Sequence, residues 1–477
     1  MKRFIYFLFF LTIVPAAISQ TALQRLLNNP ALKHASVGVS VTDLNTGKTI
    51  VSHNADKSLT PASVMKLVTS ATAIEVFGPS YRYSTDVALD ANDASRILVI
   101  GSGDPTLGSD AFKDNPTAFF INATEAIKKS LQRETEYSIY VVDNLFGYNG
   151  ISPEWTWIDM GNYYAAGTYG ISIFDNTYKL FFNTTDRNAC PQILRTEPHI
   201  NGLTFENALT LNTTGSDNGY IYGVPFSNNR AVRGNIPAGR TEFSIKGDIP
   251  DPGLLLGETL ADYLKRSGYK ITKVETDRVD YISRNCSRGA ASPYRVGSVL
   301  HSQKSRPMSE IIREVNVQSN NHYAEHLIRS VGRRSNSNIY SDALKEGVDF
   351  VQKYWTQKGV SPASLRMDDG SGLAPQNAVS PAFLNDLLVY MYKSGNAQVF
   401  LASLPKAGQE GTLRNFLRDS KYAGKISAKS GSIGGVQCYS GYLMDGNKQY
   451  AFTIMVNKFN GTRTQVRNAM AQFLLSL

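Results

Sequence analysis

Ser63 and Lys66 stand three residues apart in TPASVMKLVTSATAIEVFG, Thr60 to Gly78. Pro61 falls in what reads as the first turn of a helix and Gly78 at its end. Met65, Leu67, Val68, Ala71 and Ile74 can form one apolar stripe on it. One helical turn brings an amine beside a hydroxyl, and a helix N-terminus favours a developing negative charge. Those are the parts of a serine nucleophile with a lysine base. Taken alone, the same pair is also a surface serine and a solvated lysine, so the decision falls to the rest of the chain.

SxxK carries little weight by itself, and the chain holds two more, Ser267–Lys270 and Ser403–Lys406. Ser267 precedes Gly268 at an apparent helix end, and Pro405 disfavours a helix in SLPK. A Ser–Lys catalyst also needs a polar SxN element to relay a proton and a strand bearing K-[ST]-G to hold a substrate carboxylate along a sheet edge. SxN-like triplets occur at Ser216-Asp217-Asn218, Ser227-Asn228-Asn229 and Ser319-Asn320-Asn321. The first lies in the Gly-flanked turn TTGSDNGY, whereas the third opens a strongly helical segment. Lys393-Ser394-Gly395 ends a helix, where Gly is an ordinary cap. Lys429-Ser430-Gly431 follows the alternating strand pattern KISA. One member of each set therefore has the right local context, and the three follow in the right order.

His322, Glu325 and His326 form HYAEH, the H-x-x-E-H pattern of inverted zinc peptidases. A helix would place both histidines on one face, as zinc requires. The motif begins one residue after Asn321, however, and a third ligand downstream is not evident. A polar helix face is the plainer reading, and no metal or cofactor is assigned.

These residues need elements to hold them. VGVSVTDL, a turn at Asn45-Thr46-Gly47, and KTIVSH read as a hairpin over 37–53. Residues 86–292 are rich in Asn, Gly, Thr and Tyr, with short strand-like runs, and read as an inserted, mostly-β region. Helical spacing returns from about 295. GKISAKSGSI, CYSGYLMD and QYAFTIMVNK are three consecutive strand patterns, and an amphipathic helix runs from about Arg463 to Leu477. Strands at both ends suggest one antiparallel sheet built from both termini, with the Ser63 helix packed on it. The class is α+β.

Composition fits a folded, exported protein. Of 477 residues, 42% are hydrophobic and 19% charged, which suits a globular chain with a substantial core. Lys2 and Arg3 precede the apolar run Phe4–Val14, and Ala17-Ile18-Ser19 is a small-x-small cleavage site. Residues 1–19 therefore read as a secretory signal peptide. Losing Lys2 and Arg3 lowers the net charge from +9 to +7. That excess is spread without Arg/Lys blocks; it argues against nucleic acid and suits an anionic envelope polymer or peripheral contact with a membrane surface. Cys190, Cys286 and Cys438 fit no zinc spacing. Cys190 and Cys286 can pair in an exported protein or stay free, whereas Cys438 lies in an apolar strand pattern and reads as a buried thiol.

With SVMK, SNN and KSG in hand, the chain resembles the low-molecular-mass class C penicillin-binding proteins, the D-alanyl-D-alanine carboxypeptidase/endopeptidase family. GSGDPTL at 101–107, WTWIDM at 155–160, DDGSGLA at 368–374 and GTLRNF at 411–416 extend the resemblance over nearly all of the mature chain. It implies a serine transpeptidase/β-lactamase-like domain, an antiparallel sheet with helices on both faces, from residues 20–85 and 293–477. Residues 86–292 would hold two nested, mostly-β domains. Ser63 would attack the terminal D-Ala–D-Ala bond and Lys66 take its proton. Ser319 would pass the proton to the departing amine, and Asn321 would hold the substrate amide and orient Lys66. Lys429, Ser430 and Gly431 would form the carboxylate-binding strand, with the N–H groups of Ser63 and Ser432 as the oxyanion hole. Asp159 in WTWIDM would pair with a diaminopimelate ammonium. The resemblance further implies a periplasmic enzyme acting on peptidoglycan peptides that end in D-Ala–D-Ala or D-Ala–diaminopimelate, and acylated by β-lactams. GSGDPTL reads as a strand exit and turn, and DDGSGLA as a tight turn with Asp369 and Ser371 behind the site. Two other readings of the same residues are a serine β-lactamase, which the large insertion disfavours, and a non-catalytic peptidoglycan-binding relative, which the full set of polar residues disfavours.

Overall fold

The computed structural model describes residues 21–287 and 291–477; the signal-peptide reading of 1–19 lies outside the described residues. The chain forms two compact units. One comprises the chain up to Tyr81 with Pro307–Val331 and Val348–Leu477; the other comprises Arg82–Arg306 with Gly332–Gly347.

The first unit is built on five antiparallel strands: β1 (Ser36–Asp43), β2 (Thr49–His53), β3 (Ile426–Ile433), β4 (Val436–Asp445) and β5 (Lys448–Asn457). Their order is β3-β4-β5-β1-β2, so both ends of the chain share one sheet, as the strand patterns indicated. Register divides the sheet into two unlike faces. Val37, Val39 and Val41 lie opposite Val456, Ile454 and Phe452, and these side chains share a core with Val466, Met470 and Phe473 of the C-terminal helix. The alternate face carries Ser40 opposite Thr453 and Thr453 opposite Ser440. Lys429 lies opposite Ser440 and Gly431 opposite Cys438 on that second face. Here small and polar residues let helices approach: Asn385 Nδ2 donates to Thr42 Oγ1 at 2.7 Å, and Tyr442 Oη donates to Leu388 O at 2.7 Å. Helices thus cover both faces, the expected α+β arrangement.

Helix α1 (Lys66–Phe77) is preceded by a 3₁₀ turn, Ala62–Met65. The sequence suggested one apolar stripe on this helix. Instead, every residue from Lys66 to Ile74 is buried. Helix α2 (Met308–Val317) packs against it, and Asn316 Nδ2 donates to Ser70 Oγ at 3.1 Å. On another side, Trp355 Nε1 donates to Thr72 Oγ1 at 2.9 Å. A helix enclosed on all sides needs no polar face; its Ser and Thr residues are each satisfied internally.

The second unit holds a five-stranded sheet in the order 270–276, 136–142, 93–101, 84–90, 296–304. Its first three strands run parallel, which requires crossover connections. Helices Ala118–Ser130 and Pro252–Arg266 supply them; the mostly-β reading marks only the end of the second, at Ser267-Gly268. The remaining strands form a three-stranded and a four-stranded sheet, and one hydrophobic core runs through all three sheets. Cys190 and Cys286 are exposed and unbridged in this unit, and Cys438 is buried on β4.

Buried charge ties the parallel strands to the helix Arg278–Ser287. Asp277 has no exposed side-chain surface; Arg284 Nη2 lies 2.8 Å from each of its oxygens, and Tyr140 Oη donates to it at 2.7 Å. Removing the cation leaves a buried carboxylate short of its counter-ion. Arg284→Met is therefore expected to destabilise the protein by about 3–5 kcal/mol, measured as a lower urea midpoint in the full chain.

Candidate active site

The site begins where the chain leaves the sheet. Asn457, at the end of β5, accepts from Thr60 N at 2.7 Å and donates Nδ2 to Thr60 O at 3.1 Å. The clamped chain then turns through Ala62, whose φ of +47° is unusual for a residue with a side chain. In the 3₁₀ turn that follows, residues i and i+3 eclipse. Ser63 is thereby stacked over Lys66 on one side of the turn. Ser63 is part-exposed, whereas Lys66 is fully buried. Lys66 Nζ has three neighbours: Ser63 Oγ at 3.0 Å, Asn321 Oδ1 at 2.6 Å and the main-chain carbonyl of Ser371 at 2.6 Å.

The second element is the junction between α2 and helix α3 (Asn321–Ser335). Ser319 occupies the left-handed region at φ +62°, a conformation that costs a residue with a side chain on the order of 1–2 kcal/mol. The reversal aims Ser319 Oγ at Lys429 Nζ, 2.9 Å away. Asn320 accepts from Tyr323 N at 3.1 Å and so caps α3. The middle residue of SNN therefore serves the helix, while its neighbours face the two lysines.

Strand β3 is the third element. Pro405 and Ala407 pair with its start, through Ala428 N to Pro405 O at 3.1 Å and Ala407 N to Ile426 O at 2.8 Å. From Lys429 onward its sheet partner is β4, at the edge of the sheet. Lys429 is fully buried and also donates to Ser430 O at 2.8 Å. Ser430 Oγ donates to Thr412 Oγ1 at 2.8 Å on the exposed side. Gly431 is required by proximity: a Cβ there would stand 2.5 Å from Pro61 O and 3.0 Å from Ser63 N. The strand backbone thus lies against the turn that carries Ser63, and Ser432 follows it as an exposed residue.

DDGSGLA closes the cluster. Asp369 accepts from Gly372 N at 2.7 Å, Ala374 N at 2.6 Å and Asn377 Nδ2 at 2.9 Å, which folds the turn expected there. A Cβ on Gly372, at φ +80°, would stand 1.9 Å from Ala62 O. The turn therefore sits directly behind the Ser63 segment and presents the Ser371 carbonyl to Lys66.

Burial drives the Lys66 amine down to about 7, while the charges of Asp369 and Glu325 hold it from falling further. Burial, and then the neighbouring Lys66, lower Lys429 well below the ordinary lysine value. A hydroxyl beside an amine that is substantially neutral near pH 7 can be deprotonated, and a second hydroxyl beside a second lysine can relay a proton.

The remaining candidates lie elsewhere. Asp159 is in the second unit, where it accepts from Thr156 N at 3.2 Å and from Thr156 Oγ1 at 2.5 Å, and adds to the burial that raises the pKa of Tyr164. Ser267 caps the end of helix Pro252–Arg266, Ser394 caps the helix before it, and Asp217 closes a turn at Gly219. GSGDPTL is a strand exit and turn, with Asp104 accepting from Thr106 N and Oγ1 at 2.7 Å each. In HYAEH the two histidine rings are buried 4.5 Å apart, and burial lowers His322 to about 3. Glu325 instead takes Arg329 Nη1 at 2.6 Å and the N–H groups of Gly370 and Ser371 at 2.9 Å each. Sequence reading had no role for Glu325, for the Ser371 carbonyl or for Thr412. Thr412 was at least marked by the GTLRNF segment; a carbonyl bears no mark in a sequence at all.

Comparison with known proteins agrees with the motifs. A profile described as the D-Ala-D-Ala carboxypeptidase 3 (S13) family matches residues 19–477. A D-alanyl-D-alanine carboxypeptidase of Actinomadura sp. (strain R39) is 28% identical over 453 residues, covering 91% of this chain and 80% of that protein. D-alanyl-D-alanine carboxypeptidase DacB of Haemophilus influenzae is 20% identical over 89% of this chain and 86% of its own. The crystal structure of penicillin binding protein 4 (dacB) from Haemophilus influenzae superposes with a TM-score of 0.76 at 18% identity, covering 95% of this chain and 97% of that one, and so shares the fold. The chain belongs to the D-Ala-D-Ala carboxypeptidase 3 (S13) family.

Proposed function

We propose that this protein is an exported serine D-Ala–D-Ala carboxypeptidase, also able to cut D-Ala–diaminopimelate cross-links, working through an acyl-Ser63 intermediate. The observation that carries the reading is the buried Lys66 amine, 3.0 Å from Ser63 Oγ in surroundings that bring it down to about 7. Lys66 accepts the Ser63 proton as Oγ attacks the penultimate carbonyl. The N–H groups of Ser63 and Ser432 receive the oxyanion, each such donor contributing about 3 kcal/mol. Ser319, 2.9 Å from Lys429, passes a proton to the departing amine. Asn321 orients Lys66 and holds the substrate amide. The strand Lys429-Ser430-Gly431 takes the terminal carboxylate at the sheet edge. The hydroxyls of Ser430 and Thr412 meet it, with the buried Lys429 amine behind them. Water then releases the shortened peptide.

The catalytic domain in this reading is residues 20–85 and 293–477, with 86–292 inserted as two nested domains. Ser63, Lys66, Ser319, Asn321 and Lys429 all fall in the first compact unit, which supports it. Asp159 is assigned the diaminopimelate ammonium on the resemblance of WTWIDM. The leader at 1–19 points to a periplasmic location, and among the described residues no helix is long and apolar enough to cross a membrane. A β-lactam, which mimics the D-Ala–D-Ala backbone, acylates the same serine.

Intact mass after incubation with a penicillin tests the reading. The mature protein should gain one long-lived adduct, and Ser63→Ala should gain none. An adduct that persists in Ser63→Ala, or no adduct on the unaltered protein, would overturn the assignment. Rapid turnover of the drug would point instead to a lactamase.

Because the neutral amine is the active form, the acylation rate should rise with pH along a limb centred near Lys66's value of about 7 and level off above it. Gly431→Val should slow acylation roughly a hundredfold, because its Cβ meets Pro61 O at 2.5 Å and must displace either β3 or the Ser63 turn.

A further inference from the structure

HYAEH was left without a function by the serine mechanism, yet it is among the most deeply buried polar stretches of the first unit. Its Glu325 and His326 have no exposed surface. Helix α3 places Asn321, Glu325 and Arg329 at successive i, i+4 positions, on one face. Asn321 contacts Lys66 Nζ directly. Glu325, one turn on, accepts through a single oxygen, Oε1, from the N–H groups of both Gly370 and Ser371. Its other oxygen takes Arg329 at 2.6 Å, a pair with side chains 1% and 0% exposed. The two peptide groups that Glu325 holds lead directly into the Ser371 carbonyl, 2.6 Å from Lys66 Nζ, and the N–H of that carbonyl's own peptide, on Gly372, is held by Asp369. Thr69 Oγ1, on α1, donates to Gly370 O at 2.6 Å and fixes the turn from its other side. Asp369 folds the same turn from within.

A surface turn could be capped by water or by neutral side chains. This one is bound by two buried carboxylates, and burying a carboxylate costs several kcal/mol unless it is paired. The arrangement makes sense if both the position of the Ser371 carbonyl and the negative charge behind it matter to the amine. We infer that Glu325 and Asp369 are positioning residues for the Lys66 amine, acting through the Asp369–Gly372 turn whose Ser371 carbonyl that amine contacts. This rests on the reading of Lys66 as the acceptor of the Ser63 proton.

The charged groups around Lys66 come from each element packed on it: Lys429 from β3, Glu325 and Arg329 from α3, and Asp369 from the turn. Burial favours the neutral amine; Asp369 and Glu325 favour the ammonium. Burial and the repulsion of Asp369 raise the Glu325 pKa, and Arg329, 2.6 Å away, works against that rise. The carboxylates thus keep the amine titrating in the neutral range, basic enough to take a proton. Geometry and charge are separable. Glu325→Gln retains an acceptor oxygen for the two N–H groups and removes the charge. Thr69→Val loosens the turn and leaves every charge in place.

The experiment is the acylation rate of each variant by a fluorescent penicillin across pH, in the full chain, with Tm recorded alongside. Glu325→Gln should shift the acidic limb to lower pH, since a charge that raises the Lys66 pKa is gone. Thr69→Val should leave the limb in place and lower the plateau roughly tenfold. Glu325→Ala, which loses both, should lose about a hundredfold at the plateau. A folded Glu325→Gln with the limb of the unaltered protein would overturn the inference. So would a Thr69→Val plateau equal to that of the unaltered protein, a result obtainable even if Glu325→Gln does not fold. Lowered Tm with an unchanged rate per acylated serine would mean a structural role alone, and would also overturn it. Failure of the serine reading would look different: no Ser63 adduct on the unaltered protein at any pH.

Discussion

A lysine amine sealed from water is the constraint around which the first unit is organised. An ammonium in such a place loses several kcal/mol of hydration, so the group either neutralises or must be supplied with acceptors. Lys66 has both responses available. Three oxygens surround its nitrogen, and two carboxylates lie beyond them, yet burial brings it to about 7. An amine in that balance holds or releases a proton at little cost, which is what activating a serine requires. Lys429, buried close by and lowered in turn by Lys66, means that the two lysines do not readily carry charge together.

Bringing acceptors to one nitrogen from three segments demands close backbone approach. Glycine makes this possible where a side chain would collide: Gly431 against the Ser63 turn, and Gly372 against Ala62 O. The sheet prepares the same approach. Its outer face, with Val39, Ile454 and Phe452, is packed by the C-terminal helix. Its inner face carries Ser40, Thr453, Ser440 and Lys429 in one line of register. A one-residue slip of β3 would send Lys429 to the outer face, so the ladder that joins the two ends of the chain also sets the position of a site residue.

Much of the site was legible in the chain itself. Ser63 and Lys66 are paired by local geometry alone. The correct SxN and KSG copies were separated from their decoys by local context: Ser319 before a helix, Lys429 within a strand, against Ser216 in a turn and Lys393 at a helix end. Other parts misled. The stripe expected on Lys66–Phe77 vanished because that helix is enclosed on every side, and enclosure depends on segments that arrive from residues 308–317 and 355. In the middle region helices 118–130 and 278–287 were missed beneath a composition rich in Asn, Gly and Tyr, and of 252–266 only the end at Ser267-Gly268 was marked.

The sequence by itself determined what short-range geometry can encode: the serine–lysine spacing, the opening of a helix at SNN, the alternation of the terminal strands and the order of the three motifs. Only the tertiary structure decided that Ser371 would offer a main-chain carbonyl to Lys66, and that Glu325, dressed as part of a metal motif, would hold the turn that leads into it. The physical reason is that side-chain chemistry is written in the residue type, whereas the direction of a carbonyl and the burial of a charge arise from packing between segments hundreds of residues apart.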